Sequence, residues 1–432
     1  RALGGYMPQR LPMAAPLNAP KLEDFTDLTL GSKGRELSTT MSFNMVLAKL
    51  LKNKEIGKLI VLIIPDEART FGLDPLFGQI GIYASQGQLY DPVDADNVAY
   101  YREAQNGQIL EEGITEAGSM ASFVAAGTAY SVYGVNTIPF YIYYSMFGFQ
   151  RVGDQIWLAG DSRAKGFMLG GTAGRTTLNG EGLQHEDGHS HLAATTLTNL
   201  MAYDPAFQYE VAIIIQDGIK RMYQDDEQIF YYITLGNENY VQPPMPQGVE
   251  EGIRQGLYKF KSVPATGSGP ARKVKLLGSG SILNEAIRAA DILAEKYGVS
   301  SDVYSATSYK TLRWHALEAQ RHNDLHPDKP QSCYLWDFTK DWSEPIIASS
   351  DYVRLVGEQL APWLKDYTVL GTDGYGRSEG REELRRFFQV DAESITHAAL
   401  KRLEARGDVP KGTAAKAMKD MGLDKATKSP LK

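Results

Sequence analysis

Short apolar runs alternate with amphipathic stretches along most of this chain. Phe43, Val46, Leu47, Leu50 and Leu51 recur at helical spacing. Ser38, Thr39 and Thr40 stand in front of them as N-cap hydroxyls, so a helix is predicted there. Residues 58–64 form a continuous apolar run ended by Pro65, the pattern of a buried strand. Residues 114–131, rich in Ala, Gly and Ser, predict a helix, and the β-branched and aromatic residues 137–144 predict a strand. A short helix is expected over 154–164, a short strand over 166–169, and a strand over 229–234. Residues 209–223 carry the periodicity of either element and are read as helix.

The pattern breaks near residues 241–270. Pro243, Pro244 and Pro246 precede a helical stretch, and Ser, Pro and Gly then dominate 262–270. After the break it restarts, with strands at 273–277, 302–305 and 367–370 and a helix carrying Leu283, Ala286, Ile287, Ala290 and Leu293 on one face. Strands alternating with helices on this scale predict an α/β protein of two domains, each a mainly parallel sheet flanked by helices. Residues 1–36, punctuated by Gly4, Gly5, Pro8, Pro12, Pro16 and Pro20, read as an extended lead-in. The tail from Lys411 has six lysines against two aspartates and reads as a solvated surface or a frayed end.

Composition narrows the class. The 432 residues correspond to two or three domains at about 150 residues each. Cys333 is the single cysteine, so no intrachain disulfide can form and a reducing compartment fits. A net charge of −7 argues against a nucleic-acid-binding role. The apolar runs fall short of the roughly 20 residues of a membrane helix. No signal peptide is legible, and a cytoplasmic protein is expected. The chain opens on Arg1 and not Met, as a processed chain or a piece of a longer one would.

Four segments carry candidate chemistry. Residues 180–191 hold three of the seven histidines, and His185, Glu186 and His189 satisfy the HExxH zinc-protease spacing. That motif needs a helix, which Gly180, Gly182 and Gly188 oppose. An active-site loop with a histidine in acid–base work is a second reading, and a structural loop a third. Gly278-Ser279-Gly280-Ser281 follows a strand and precedes a helix, so it is either a phosphate cradle or a plain turn; Leu283 stands where a dinucleotide fingerprint needs its third glycine. Asp66 and Glu67 follow a predicted parallel strand, where α/β sites lie; pairing with Arg69 is the alternative. Glu111, Glu112 and Glu116 open a helix, as dipole complements or as catalytic acids. Six aromatics crowd residues 140–149. Most suit the core, and those at the strand's carboxyl end suit a wall for a flat heteroaromatic ligand.

Taken in order, residues 64–72 (IPDEARTFG), 112–118 (EGITEAG), the aromatic strand through Met146-Phe147-Gly148-Phe149-Gln150-Arg151, and Asn179 to His191 closely resemble the homodimeric bacterial pyruvate dehydrogenases. The resemblance covers essentially the whole chain. It implies a thiamin-diphosphate-dependent enzyme that decarboxylates pyruvate and reductively acetylates the lipoyl group of dihydrolipoyl acetyltransferase. It also implies a homodimer whose active site forms between subunits. The family's Gly-Asp-Gly motif for Mg²⁺ and diphosphate does not occur here, so the chain corresponds to the C-terminal half. Residues 1–15 are then a lead-in, 16–245 the pyrimidine-binding domain and 246–432 the transketolase-like C-terminal domain. Residue by residue, Glu116 falls on the cofactor-activating glutamate, Ile114 on an apolar cofactor contact, and Tyr144 and Phe147 on the pyrimidine pocket. His185 falls on a substrate-binding histidine, and Asp66 and Glu67 on acidic positions near the substrate. Other thiamin-dependent 2-oxo acid dehydrogenases, a transketolase-like enzyme and a non-catalytic assembly fragment stand as alternatives.

Overall fold

A computed structural model describes residues 14–65, 68–93, 101–266 and 272–432. The chain builds two α/β units around two sheets. In the first, the strands are β2 (Ile60–Ile64), β3 (Ile82–Tyr83), β4 (Glu103–Ala104), β5 (Ile109–Glu111), β6 (Ile138–Tyr144), β7 (Phe167–Gly171), β8 (Leu200–Tyr203) and β9 (Phe230–Thr234). They pair in the order β4-β3-β5-β2-β6-β7-β9-β8, and every pairing is parallel. A ribbon of β1 (Glu36–Leu37) and β10 (Tyr240–Val241) closes this unit.

The second sheet contains β11 (Tyr258–Val263), β12 (Lys273–Gly278), β13 (Ser300–Ser305), β14 (Ile346–Ser349) and β15 (Tyr367–Leu370) in the order β11-β13-β12-β14-β15. Only its edge strand β11 runs antiparallel. Parallel strands covered on both faces need apolar side chains throughout and not at every second position. In β6, accordingly, Phe140, Tyr141, Ile142 and Tyr143 are all fully buried.

Three expectations need correction. The lead-in does not stay extended to residue 36, because Leu22–Phe25 and Thr26–Thr29 are helical and bury Phe25 and Leu28. Gln208 and Gln216 hold this segment by donating to Leu28 O and Pro20 O. The helix expected over 154–164 spans Phe149–Asp161, since its buried stripe Val152, Ile156 and Ala159 starts earlier. The tail folds a further helix, Thr413–Asp420, which buries Ala414 and Ala417. Residues 209–223 are helical as read, over Gln208–Ile219 and then a π turn at Lys220–Gln224.

The two units are joined by buried polar groups. Asp351, just after β14, accepts from the backbone N–H and the hydroxyl of both Thr176 and Thr177 at 2.6–2.9 Å. Glu210 accepts from Tyr258 and Ser305 of the second unit. The Gly278–Ser281 turn faces protein: a Cβ at Gly280 would meet the Asp204 carboxylate at 2.6 Å. An acidic partner of that kind leaves no cradle for a phosphate there.

Candidate active site

In parallel α/β sheets ligands bind beyond the carboxyl ends of the strands, where the chain's direction of winding reverses. Here the chain winds from β2 out to β5 on one side and then returns to β6 on the other. The segments that follow β5, β6 and β7 carry Glu116, Phe147 and His185, and Tyr144 ends β6.

Glu116 is the first residue of the helix Glu116–Val132, which follows β5. Thr115 caps that helix by accepting from Gly118 N at 3.2 Å, and Gly113 turns the chain with φ 75°. Glu116 is 9% exposed. Both of its carboxylate oxygens accept from Arg151 Nη1 at 3.2 Å. Arg151 comes from the helix after β6, and its guanidinium lies 4.0 Å from the centre of the Phe147 ring.

Tyr144 ends β6, and Phe147 sits in the 3-10 turn behind it. Their rings lie 5.9 Å apart, and both meet the His185 imidazole edge to face, at 5.2 and 5.1 Å. Phe71 closes on Tyr144 from the loop after β2 at 5.6 Å. His185 Nδ1 is 3.2 Å from a Glu181 carboxylate oxygen. Glu116, Arg151, Phe147, His185 and Tyr144 are thus linked contact by contact. Ile114 is 77% exposed beside this cluster. Asp66 and Glu67 lie outside the described residues.

The HExxH segment is not one helix. His185 ends the 3-10 turn Gly182–Gln184, and the next helix starts only at Ser190. Asp187 ends that gap by accepting from His189 N and Ser190 N at 2.9 and 3.0 Å. His185 and His189 therefore share no helical face. His191 is buried against Tyr232 and Tyr352 and bonds Thr234 at 2.9 Å. Its burial pulls its pKa down to about 4, so it is a neutral structural imidazole.

Beside the cluster, a cleft of about 580 Å³ runs between Phe147, Arg151, Arg175 and Glu186 of the first unit and Val353 and Tyr375 of the second. Glu186 is completely buried. Burial pushes its carboxyl up to about 7, against the pull of the Arg377 N–H, which donates to it at 2.7 Å. Gly376 is required beside it, since a Cβ there would approach a Glu186 oxygen to 2.6 Å. Arg175 donates to Thr372 O and packs under Gly188. Burial lowers the pKa of its guanidinium. Sequence reasoning missed Arg175 and the 374–377 loop as parts of this site, quoted Arg151 without a role, and read Glu186 only within the HExxH spacing. Local signals existed for the arginine that closes the aromatic segment and for Glu186 in the histidine-rich segment, but not for Arg175 or the 374–377 loop.

A family model described as pyruvate dehydrogenase E1 component middle domain matches residues 17–243, more than half of the chain. The chain belongs to the pyruvate dehydrogenase E1 family. A second model, the transketolase-like C-terminal domain, matches residues 256–391. The chain is 52% identical to the pyruvate dehydrogenase E1 component of Pseudomonas aeruginosa, over 100% of this chain and 49% of that protein. It is 51% identical to that of Escherichia coli strain K12, over 98% and 47%. The chain thus spans about half the length of the curated relatives it matches. Among solved structures, a transketolase from Leishmania mexicana superposes with a TM-score of 0.62 at 17% identity, over 90% of this chain and 48% of that one. A split-gene transketolase described as an inactive β4 tetramer gives 0.55 at 14%, over 85% and 98%. At such identities the likeness concerns the α/β fold. Among the described residues no helix is long and apolar enough to cross a membrane.

Proposed function

We propose that this E1-family chain works within a polypeptide that decarboxylates pyruvate with thiamin diphosphate and reductively acetylates the lipoyl group of dihydrolipoyl acetyltransferase. The observation that carries this reading is the linked cluster Glu116–Arg151–Phe147–His185–Tyr144 at the carboxyl ends of adjacent parallel strands, in a chain about half identical to E1 components along its whole length.

The cluster fits the ring end of thiamin diphosphate. Aromatic edges from Tyr144 and Phe147 suit a flat heterocycle, and Glu116 offers a buried carboxylate at a helix start. When bound, the cofactor supplies the electron sink for loss of carbon dioxide from a 2-oxo acid. Glu116 shares a proton with a nitrogen of the aminopyrimidine ring, which requires Arg151 to yield one carboxylate oxygen. Ile114, Tyr144 and Phe147 hold the ring. His185, with Nδ1 beside Glu181, turns Nε2 to a substrate oxygen. Asp66 and Glu67 serve the substrate from the end of β2. Glu186 and Arg175 pin the second unit's loop at the cleft.

The diphosphate and its Mg²⁺ take their ligands from a domain outside this chain. The pyrimidine-binding and C-terminal domains divide near residue 245, a reading favoured by the gap between β10 and β11. The polypeptide acts as a cytoplasmic homodimer. In support, the helix Glu116–Val132 leaves Ala117, Ala121, Ala125 and Val132 exposed or half-exposed at helical intervals. The test is to incubate the full-length enzyme with labelled pyruvate, thiamin diphosphate, Mg²⁺ and a lipoyl domain. Label transferred to the lipoyl group is expected; carbon dioxide release with no such transfer, or no reaction, would contradict the reading.

A further inference from the structure

A second cavity, of about 400 Å³, lies wholly within the second unit and shares no lining residue with the cleft beside Glu116. Its walls are β15, the end of the helix Arg381–Phe388, the helix Ala392–Arg406, and the helix Thr413–Asp420 with the segment after it. Leu370, Ala398, Met418 and Leu423 give it an apolar interior. Arg386, Lys401 and Arg402 stand around that interior.

The three cations differ in what already neutralises them. Arg386 pairs with Asp391 at 2.6 Å and Glu393 at 3.3 Å. Arg402 pairs with Asp366. Lys401 has no ion-pair partner among the described residues, and the one carboxylate in the lining is Asp424. The wider surface has the same sign. Residues 398–432 hold nine Lys and Arg against four Asp and Glu, a net +5 in a chain whose total is −7. His397 also stands in the wall.

We propose that this cavity binds a small organic anion with an apolar body, such as an aryl or alkyl phosphate or carboxylate, its anionic group against Lys401 and its body among Leu370, Ala398, Met418 and Leu423. An apolar floor with a few convergent polar groups is the usual make-up of a small-ligand site. The inference does not depend on the reaction proposed above.

The test is calorimetric titration of the full-length protein, presaturated with thiamin diphosphate and Mg²⁺, with phenyl phosphate, phenol and inorganic phosphate. Phenyl phosphate should bind at one site per chain and at least about tenfold tighter than phenol or phosphate. Lys401→Glu and, separately, Ala398→Trp should each weaken it about tenfold or more, with circular dichroism and turnover unchanged. Octanoate against octanamide tests recognition of a carboxylate as phenyl phosphate against phenol tests that of a phosphate, and either anion binding with this mutational profile supports the site. No binding of any anion at millimolar concentration, equal binding of phosphate and phenyl phosphate, or binding indifferent to both substitutions would overturn the proposal.

Discussion

Arg151 joins Glu116 to Phe147, two residues that the sequence places 31 positions apart. Its Nη1 donates to both carboxylate oxygens of Glu116 at 3.2 Å, while the same guanidinium covers the Phe147 ring at 4.0 Å. One side chain therefore sets the position of the buried acid and of the aromatic wall beside it.

Replacing Arg151 by Met keeps much of the packing and removes the charge. Because Arg151 is half exposed, the loss of stability should be about 1 kcal/mol. In the full-length enzyme kcat/KM should fall at least about tenfold, since Glu116 is no longer held. Urea unfolding and steady-state kinetics on the same preparation check both halves.

Glu186 makes a prediction about pH. Its folded pKa of about 7 lies above the ordinary glutamate value. Between the two values the folded state binds the extra proton, so this contribution to stability is complete at low pH and lost as pH rises through 7. Glu186→Gln, which keeps an acceptor for Arg377 N, cannot titrate. The urea midpoint of the variant minus that of the wild type should therefore rise between pH 5 and pH 8. A constant difference would show that Glu186 does not titrate there.

Asp351 tests how the units are joined. It is 3% exposed and accepts four hydrogen bonds from Thr176 and Thr177. Asp351→Ala leaves two buried N–H groups and two hydroxyls without their acceptor, and unmade buried hydrogen bonds cost about 1–3 kcal/mol each before relaxation. A destabilisation of about 3 kcal/mol or more is expected in equilibrium unfolding, with earlier protease cleavage between the units. Thr176→Ser should be nearly neutral.

The strands legible in the sequence were those with long apolar runs, such as β2, β6 and β9, because central parallel strands are buried on both faces. Those that escaped carry weaker patterns. β3 and β4 have two residues each, β8 is the four-residue stretch Leu200–Tyr203, and β14 is four residues after Pro345. In β11 the lysines Lys259 and Lys261 interrupt the apolar positions of an edge strand. The site was legible as separate strings, which the family resemblance grouped into one expected site, and the structure links Glu116, Tyr144, Phe147 and His185 through side-chain contacts. Periodicity alone could not bring Arg151 onto Glu116 or carry the 374–377 loop to Glu186, because those contacts depend on which strands are neighbours and on how the two units dock. Gly182 and Gly188, by contrast, spoke against a continuous HExxH helix, and the chain breaks between His185 and Ser190 as they require.

The chain described here should bind thiamin diphosphate poorly by itself. In the function proposed above it contributes ring contacts only, and the charged diphosphate is held by a domain elsewhere. Losing such an anchor costs several kcal/mol, at about 1.4 kcal/mol per factor of ten in affinity. Calorimetry of residues 1–432 with the cofactor and Mg²⁺ should give a dissociation constant about 100-fold or more above that of the full-length enzyme. Equal, Mg²⁺-dependent affinity would place the diphosphate site within this chain.

Glu116 is proposed as the carboxyl group that engages the cofactor's aminopyrimidine ring, and the most direct test is the turnover of Glu116→Ala in the full-length enzyme with saturating thiamin diphosphate, Mg²⁺ and pyruvate. General acid–base groups contribute about 10²–10⁴ in rate, so decarboxylation should fall by at least about a hundredfold while circular dichroism and the urea midpoint stay close to wild type. Near-normal decarboxylation of pyruvate by a folded Glu116→Ala enzyme would contradict the account.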